Sequence, residues 1–205
     1  MHSNREDIVK LLISKENIAK LIVGVPDEHG QTALHWAASN GNIAICTELV
    51  KIMTPKGIRT EMLGRKQTAL HFAVHGNHLD IVKLLIKEGG PELADVPDEH
   101  GQTALHWAAS NGNIAICTEL VKIMTPKGIR TEMLGRKQTA LHFAVHAENL
   151  EVVKTIVELS KDNEGVGLIE SADKSGLSPL AYAKAHANNP ALIKIAEYLE
   201  EVLKK

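Results

Sequence analysis

Apolar residues along this chain recur at helical spacing in short bursts, never in one long run. One burst is Ile43, Ile45, Leu49, Val50 and Ile52; another is Leu79, Ile81, Val82, Leu84 and Leu85. Each gathers its apolar side chains on one helix face and leaves polar residues opposite. Ahead of each burst lies a shorter segment that opens on threonine. Thr32, Thr68, Thr103 and Thr139 stand where an N-cap belongs, with hydroxyls able to accept from the free amides of a first helical turn. After Ile52, the stretch Thr54-Pro55-Lys56-Gly57 breaks the helical pattern. The predicted elements are therefore helix pairs separated by turns. A last stripe, Leu192, Ile195, Ala196, Leu199 and Leu203, has its polar side filled by Lys194, Glu197, Glu200, Glu201, Lys204 and Lys205, as an end cap requires. No single pair buries its own apolar face. Pairs stacked side by side make one elongated core.

The pattern is copied as well as periodic. Residues 25–75 and 96–146 are one string of 51 residues written twice, 71 positions apart, with no substitution. The string is itself double: Thr32-Ala33-Leu34-His35-Trp36-Ala37-Ala38 returns as Thr68-Ala69-Leu70-His71-Phe72-Ala73-Val74. The threonines are spaced by 36, 35 and 36 residues, and a degenerate fifth unit, Ser178-Pro179-Leu180-Ala181-Tyr182-Ala183, follows 39 residues on.

The stretch Asp27-Glu28-His29-Gly30-Gln31-Thr32-Ala33-Leu34-His35 and its copy at Asp98–His106, each followed by an amphipathic helix, resemble the ankyrin repeat. The family unit is a β-turn and two antiparallel helices in about 33 residues. The resemblance implies an all-α solenoid of stacked helix-turn-helix repeats with short β-turn or hairpin connections. It divides the chain into a half repeat or cap over 1–25, repeats over 26–61, 62–96, 97–132 and 133–172, and a capping repeat over 173–205. Two departures stand out. Every spacing exceeds the family's, so the segment between second helix and next turn is long. Lys66 and Lys137 occupy the family's glycine position, where a left-handed residue is costly without glycine. At the amino end, residues 7–13 repeat residues 80–86. A half repeat there would leave apolar side chains uncovered and favour a weak homodimer through residues 1–25; a self-sufficient cap would leave a monomer.

In the family, hairpin tips and the exposed face of the first helix form a concave protein-binding surface. Carried over position by position, that surface comprises Glu28, His29, Gln31, Ser39 and Asn40 in the first unit and Arg65, Gln67 and His75 in the second. It returns as Glu99, His100, Gln102, Ser110 and Asn111 in the third, and as Arg136, Gln138 and His146 in the fourth. The motif histidines His35, His71, His106 and His142 are expected to tie each turn to neighbouring backbone. Trp36, Trp107, Phe72 and Phe143 follow them and are expected to pack between helices. His71, His75 and His78 have a spacing that could hold a metal, but no Glu follows His71, and the second copy has Asn149 in place of His78.

Composition narrows the classes. With 23 Lys and Arg against 25 Asp and Glu, the net charge is −2, without the basic stripe of a nucleic-acid binder. No apolar run reaches the roughly 18 residues of a membrane span. Arg5, Glu6, Asp7, Lys10, Lys15 and Glu16 interrupt any signal-peptide core. Cys46 and Cys117 read as reduced, core-facing thiols, and a cytoplasmic setting fits them. No phosphate-binding loop, dinucleotide fingerprint or nucleophile elbow occurs. No cofactor is expected. The reading is a non-catalytic ankyrin-like scaffold or protein-binding module. Because exposed residues such as Lys51, Lys56, Arg59 and Glu61 are copied along with the core, the duplication points to deliberate lengthening of a natural parent, which leaves open whether a native partner exists. A natural adaptor or effector that binds a specific protein is the alternative, with a metal-dependent enzyme built on His71 and His75 as a further one.

Overall fold

The computed structural model describes residues 23–62, 64–160 and 164–205, together with Leu11. The expected cap or half repeat, and the self-association surface placed on it, lie almost wholly outside the described residues. The chain divides into two compact units, residues 1–93 and 94–205.

In the first unit, α1 (Ala33–Ser39) and α2 (Ile43–Ile52) form one pair, and α4 (Ala69–His75) and α5 (Leu79–Gly89) the next, with the one-turn helix α3 (Pro55–Ile58) between them. First helices pack on first helices and second on second: α1 lies against α4, and α2 against α5. In the second unit, the pairs are α6 (Ala104–Ser110) with α7 (Ile114–Ile123), α9 (Ala140–His146) with α10 (Leu150–Leu159), and α12 (Pro179–Ala185) with α13 (Pro190–Leu203). The short helices α8 (Pro126–Ile129) and α11 (Glu164–Ile169) separate them. There α6, α9 and α12 stack in one layer and α7, α10 and α13 in the other. Every described regular element is helical, and the fold is an all-α ankyrin solenoid in its class.

The long spacings have a physical cause. Thr54 does more than end a helix: its hydroxyl accepts from Gly57 N–H at 3.1 Å, Pro55 sits at N1, and α3 begins. Thr125 starts α8 in the same way. The stretch 160–171, irregular in sequence, contains α11, whose Leu168 and Ile169 are buried. Helix α3 packs on α5, and α8 on α11, so the extra residues add short packed helices within each unit.

The buried stripe is shifted from the one the periodicity suggests. In α2 it is Cys46, Leu49 and Val50, while Ile43 is exposed. In α7 it is Ile116, Cys117, Leu120 and Val121, with Ile114 exposed. In α13, Leu192, Ile195 and Leu199 are buried and Leu203 is exposed.

The lysine turns also form. Lys66 takes φ 53° and Lys137 φ 55°, both left-handed. The ring they close is one residue wider than in the other hairpins. Gly30 N–H donates to Asp27 O at 2.9 Å, whereas Lys66 N–H reaches back four residues to Met62 O at 3.0 Å.

Candidate functional site

The threonine and histidine of each unit act together. At the start of α1, Thr32 N–H donates to His35 Nδ1 at 3.1 Å, and Thr32 Oγ lies 2.9 Å from the same nitrogen. This is a capping box with histidine in the place that Glu or Gln usually fills. An Nδ1 that accepts leaves the ring proton on Nε2. His35 Nε2 then donates to Gln67 O of the next hairpin at 3.2 Å, and His142 Nε2 to Leu177 O at 3.3 Å. These rings are core wiring. Burial depresses the pKa of both, so they are neutral at pH 7.

The hairpins are pinned by aspartate. Asp27 Oδ1 accepts from His29 N–H and Gln31 N–H, each at 2.9 Å, and Asp98 repeats both bonds. Trp36 corrects the expected packing. It is 51% exposed, and its Nε1 donates to Asp27 Oδ2 at 3.0 Å, which with the backbone donors holds that carboxyl below its usual value. Trp107 makes the same bond at 3.4 Å and is half-buried. The phenylalanines follow the expectation better: Phe72 meets the edge of His35 with ring centroids 5.7 Å apart, and Phe143 meets His106 at 5.6 Å.

Most of the expected surface residues are exposed: Glu28, His29, Ser39, Asn40, Arg65 and His75 in the first unit, and Glu99, His100, Ser110, Asn111, Arg136 and His146 in the second. Gln31, Gln67 and Gln102 are half-buried. Gln138 is buried, its amide 3.4 Å from Asp173 Oδ2. In the first unit, Glu28, His29, Gln31, Met62, Gly64 and Arg65 line a groove of about 560 Å³ between adjacent hairpins. In the second, Leu134 N–H donates to His100 O and Lys174 N–H to Arg136 O, which ties neighbouring hairpins edge to edge.

Sequence reasoning missed a ring cluster at the end of the inner helices of the second unit. Tyr182 stacks on His146 and on His186, with centroids 4.2 Å apart in each pair. Tyr182 stands at Phe143's place in the degenerate unit, and that register was the available signal.

The His71–His75–His78 spacing does not converge. His71 Nδ1 serves Thr68, and the His78 ring lies over Gly41 and Gly76 with Nε2 3.3 Å from Ser39 O. Among the described residues no three His, Cys, Asp or Glu side chains gather as a metal cage. Cys46 and Cys117 are free and buried, their thiols pushed up to about 12 by desolvation, far from thiolate chemistry at pH 7. Among the described residues no helix is long and apolar enough to cross a membrane.

Comparison with known proteins agrees with this geometry. The family model described as "Ankyrin repeats (3 copies)" matches residues 1–58 and 47–130, and "Ankyrin repeat" matches residues 136–163. The chain is 33% identical to the B-cell lymphoma 3 protein of Homo sapiens over 77% of its own length and 34% of that protein. It is 30% identical to inversin of Canis lupus familiaris over 67% of its length and 13% of that protein. It is 29% identical to palmitoyltransferase ZDHHC17 of Danio rerio over 80% of its length and 30% of that protein. The chain thus spans about a third or less of each of these relatives. With the Thr-His capping wiring, the paired helices and these matches together, the chain belongs to the ankyrin-repeat family.

Proposed function

We propose that the chain is a non-catalytic protein-binding module whose contact surface is formed by the hairpin tips and the exposed ends of the inner helices. The observation that carries this reading is that each unit exposes a polar helix end, Ser39 and Asn40 at the close of α1 and Ser110 and Asn111 at the close of α6, as well as a Glu-His hairpin tip. In the first unit this surface takes in Gln31, Arg65, Gln67 and His75, and in the second Gln102, Arg136, Gln138 and His146. Of these, Gln138 contributes through Asp173 and not by direct contact. The motif histidines and both cysteines are committed to the core, so the chemistry left at the surface is recognition.

The partner is a protein. Copying of exposed Lys51, Lys56 and Glu61 along with the core supports duplication of a two-repeat block taken from a natural parent. A second reading, a natural adaptor for one specific protein, is supported by the identity to B-cell lymphoma 3 protein.

The test is a pull-down from cell lysate with the full chain and two variants. Ser110→Arg with Asn111→Arg should abolish capture. Glu119→Arg with Lys122→Glu, on the outer helix α7, should leave it intact. Capture lost only with the outer pair would contradict the assignment.

A further inference from the structure

Tyr182 of α12 is held between two imidazoles. Its ring centroid lies 4.2 Å from that of His146 on α9, with a tilt of 41°, and 4.2 Å from that of His186 on its own helix, with a tilt of 32°. Both imidazoles meet the Tyr182 ring at a tilt, and the hydroxyl is its remaining polar group. Among the described residues nothing hydrogen-bonds that hydroxyl. His186 Nδ1 lies 2.8 Å from Tyr182 O. A carbonyl only accepts, so Nδ1 carries the proton, and Nε2 is where a second one goes.

The surroundings supply donors. Arg136 is exposed at the tip of the hairpin before α9. Asp173, the carboxylate beside the stack, is already engaged: Oδ1 accepts from Ser175 N–H at 2.8 Å, Ser175 Oγ–H at 2.6 Å and Leu177 N–H at 3.1 Å, and Oδ2 from Gln138. On the same helix, Lys184 is paired with Glu200 of α13. Within α9 the nearest titratable neighbour is His142, buried and bonded to Leu177 O. Burial, together with His186 and Arg136, holds His146 below the ordinary imidazole value against the pull of Asp173, so it is neutral at pH 7 and gains charge on acidification. The corner therefore offers a guanidinium, a phenol O–H and imidazoles around an aromatic ring, beside the Asp173 carboxylate, which keeps its charge but has its acceptor positions engaged within the chain.

We propose that Arg136, His146, Tyr182 and His186 form a docking corner for an acidic segment of a partner protein. Carboxylates of that segment accept from the Arg136 guanidinium and the Tyr182 hydroxyl, and the stacked ring is the anchor. When His146 takes a second proton it adds a donor and a charge, so binding tightens as pH falls. The inference rests on the protein-binding reading above and narrows it to the chemistry of one contact. Arg65 and His75 repeat Arg136 and His146 in the first copy, whereas Tyr182 and His186 fall outside the copied string, so the first copy lacks this corner.

The test titrates the full chain with a fluorescein-labelled octaglutamate peptide at low salt, near pH 6 and near pH 7.5, while the His and Tyr ring signals are followed by NMR. Saturable binding should move the signals of His146, Tyr182 and His186, and should be tighter at the lower pH. Tyr182→Phe keeps the stack and should weaken binding about fivefold, and Arg136→Gln about tenfold. Lys122→Gln, on the outer helix α7 and outside the proposed surface, should change nothing. Equal binding of octalysine, equal weakening by Lys122→Gln, or no saturation at millimolar octaglutamate near pH 6 each overturns the proposal. A protein captured through Ser110 and Asn111 while octaglutamate fails would overturn this corner alone and leave the protein-binding reading standing.

Discussion

Residues 25–75 and 96–146 have the same sequence but do not have the same surroundings. Their helices begin and end at matching positions, and so do their capping boxes and left-handed lysines. Burial differs. Asp27 is exposed and Asp98 buried; Met53 and Ile45 are half-buried, while Met124 and Ile116 have no exposed surface. The flanks differ too. Asp95, just before the second copy, accepts from Thr125 Oγ–H at 2.7 Å and Thr125 N–H at 3.3 Å, and its carboxyl lies where a side chain on Gly128 would sit. The first copy has Gly24 at the matching place. After the copies, His78 reaches Ser39 O in one unit and Asn149 reaches Gly112 O in the other. The elements are thus written in the string, and the depth to which they are buried is written in what adjoins it.

The largest effect should come from one substitution made in both copies. Met124→Ala should cost about 3 kcal/mol in urea unfolding and Met53→Ala about 1 kcal/mol, because the cavity term needs a closed site. Equal losses would break the comparison. His142→Ala should cost about 2 kcal/mol and His35→Ala about the same, since each orphans a hairpin carbonyl and a threonine amide. His35 belongs to the first motif of one copy and His142 to the second motif of the other, so a difference between them would count against wiring encoded in the Thr-Ala-Leu-His motif itself.

Both histidines also set a pH dependence. Their folded pKa values lie below the ordinary imidazole value, so the unfolded chain binds more protons in that interval. Stability is complete above the unfolded value and should fall as pH drops from about 7 toward 5. A second proton on Nδ1 removes the acceptor that the threonine N–H uses. The unfolding midpoint followed across that range checks the sign, and a midpoint that rises on acidification would refute it.

Smaller effects sharpen the flanks. Asp95→Gly should lower stability by about 1 kcal/mol through the loss of its bonds to Thr125, and Gly24→Asp should add a somewhat smaller amount by giving Thr54 the same partner. A Cβ on Gly24 meets no atom within 4 Å, so the side chain has room. Smallest of all, Lys66→Gly and Lys137→Gly should each raise stability by about 0.5 kcal/mol: relief of the left-handed backbone outweighs the added freedom of the unfolded chain. Differential scanning calorimetry of the two single variants and the double variant resolves that gain.

The helix pairs and the role of the motif histidines were legible because each rests on contacts within a few residues or on a motif repeated in register. Three features were not. Trp36 follows a core histidine, yet its partner Asp27 lies in the hairpin, and apolar patterning says nothing of an indole N–H. The helices α3, α8 and α11 were hidden because Pro and Gly read as breakers, whereas Pro55 and Pro126 at N1 begin helices. The stack of His146, Tyr182 and His186 joins two repeats, so its pairing depends on how successive inner helices pack. The surface positions of the candidate site could be carried over by register, but the burial of Gln138 could not, because Asp173 comes from the next hairpin.

The most direct test of this account is deletion of residues 25–95, which joins Gly24 to Val96 and leaves a single copy of the string followed by its native carboxyl flank. If the string encodes its own elements, the shortened chain should keep a helical circular dichroism spectrum and a cooperative melt, at a midpoint lowered by the loss of Asp95 and of stacked neighbours. A shortened chain that is unfolded in buffer at 25 °C would contradict the claim that one copy carries its own helices and hairpins.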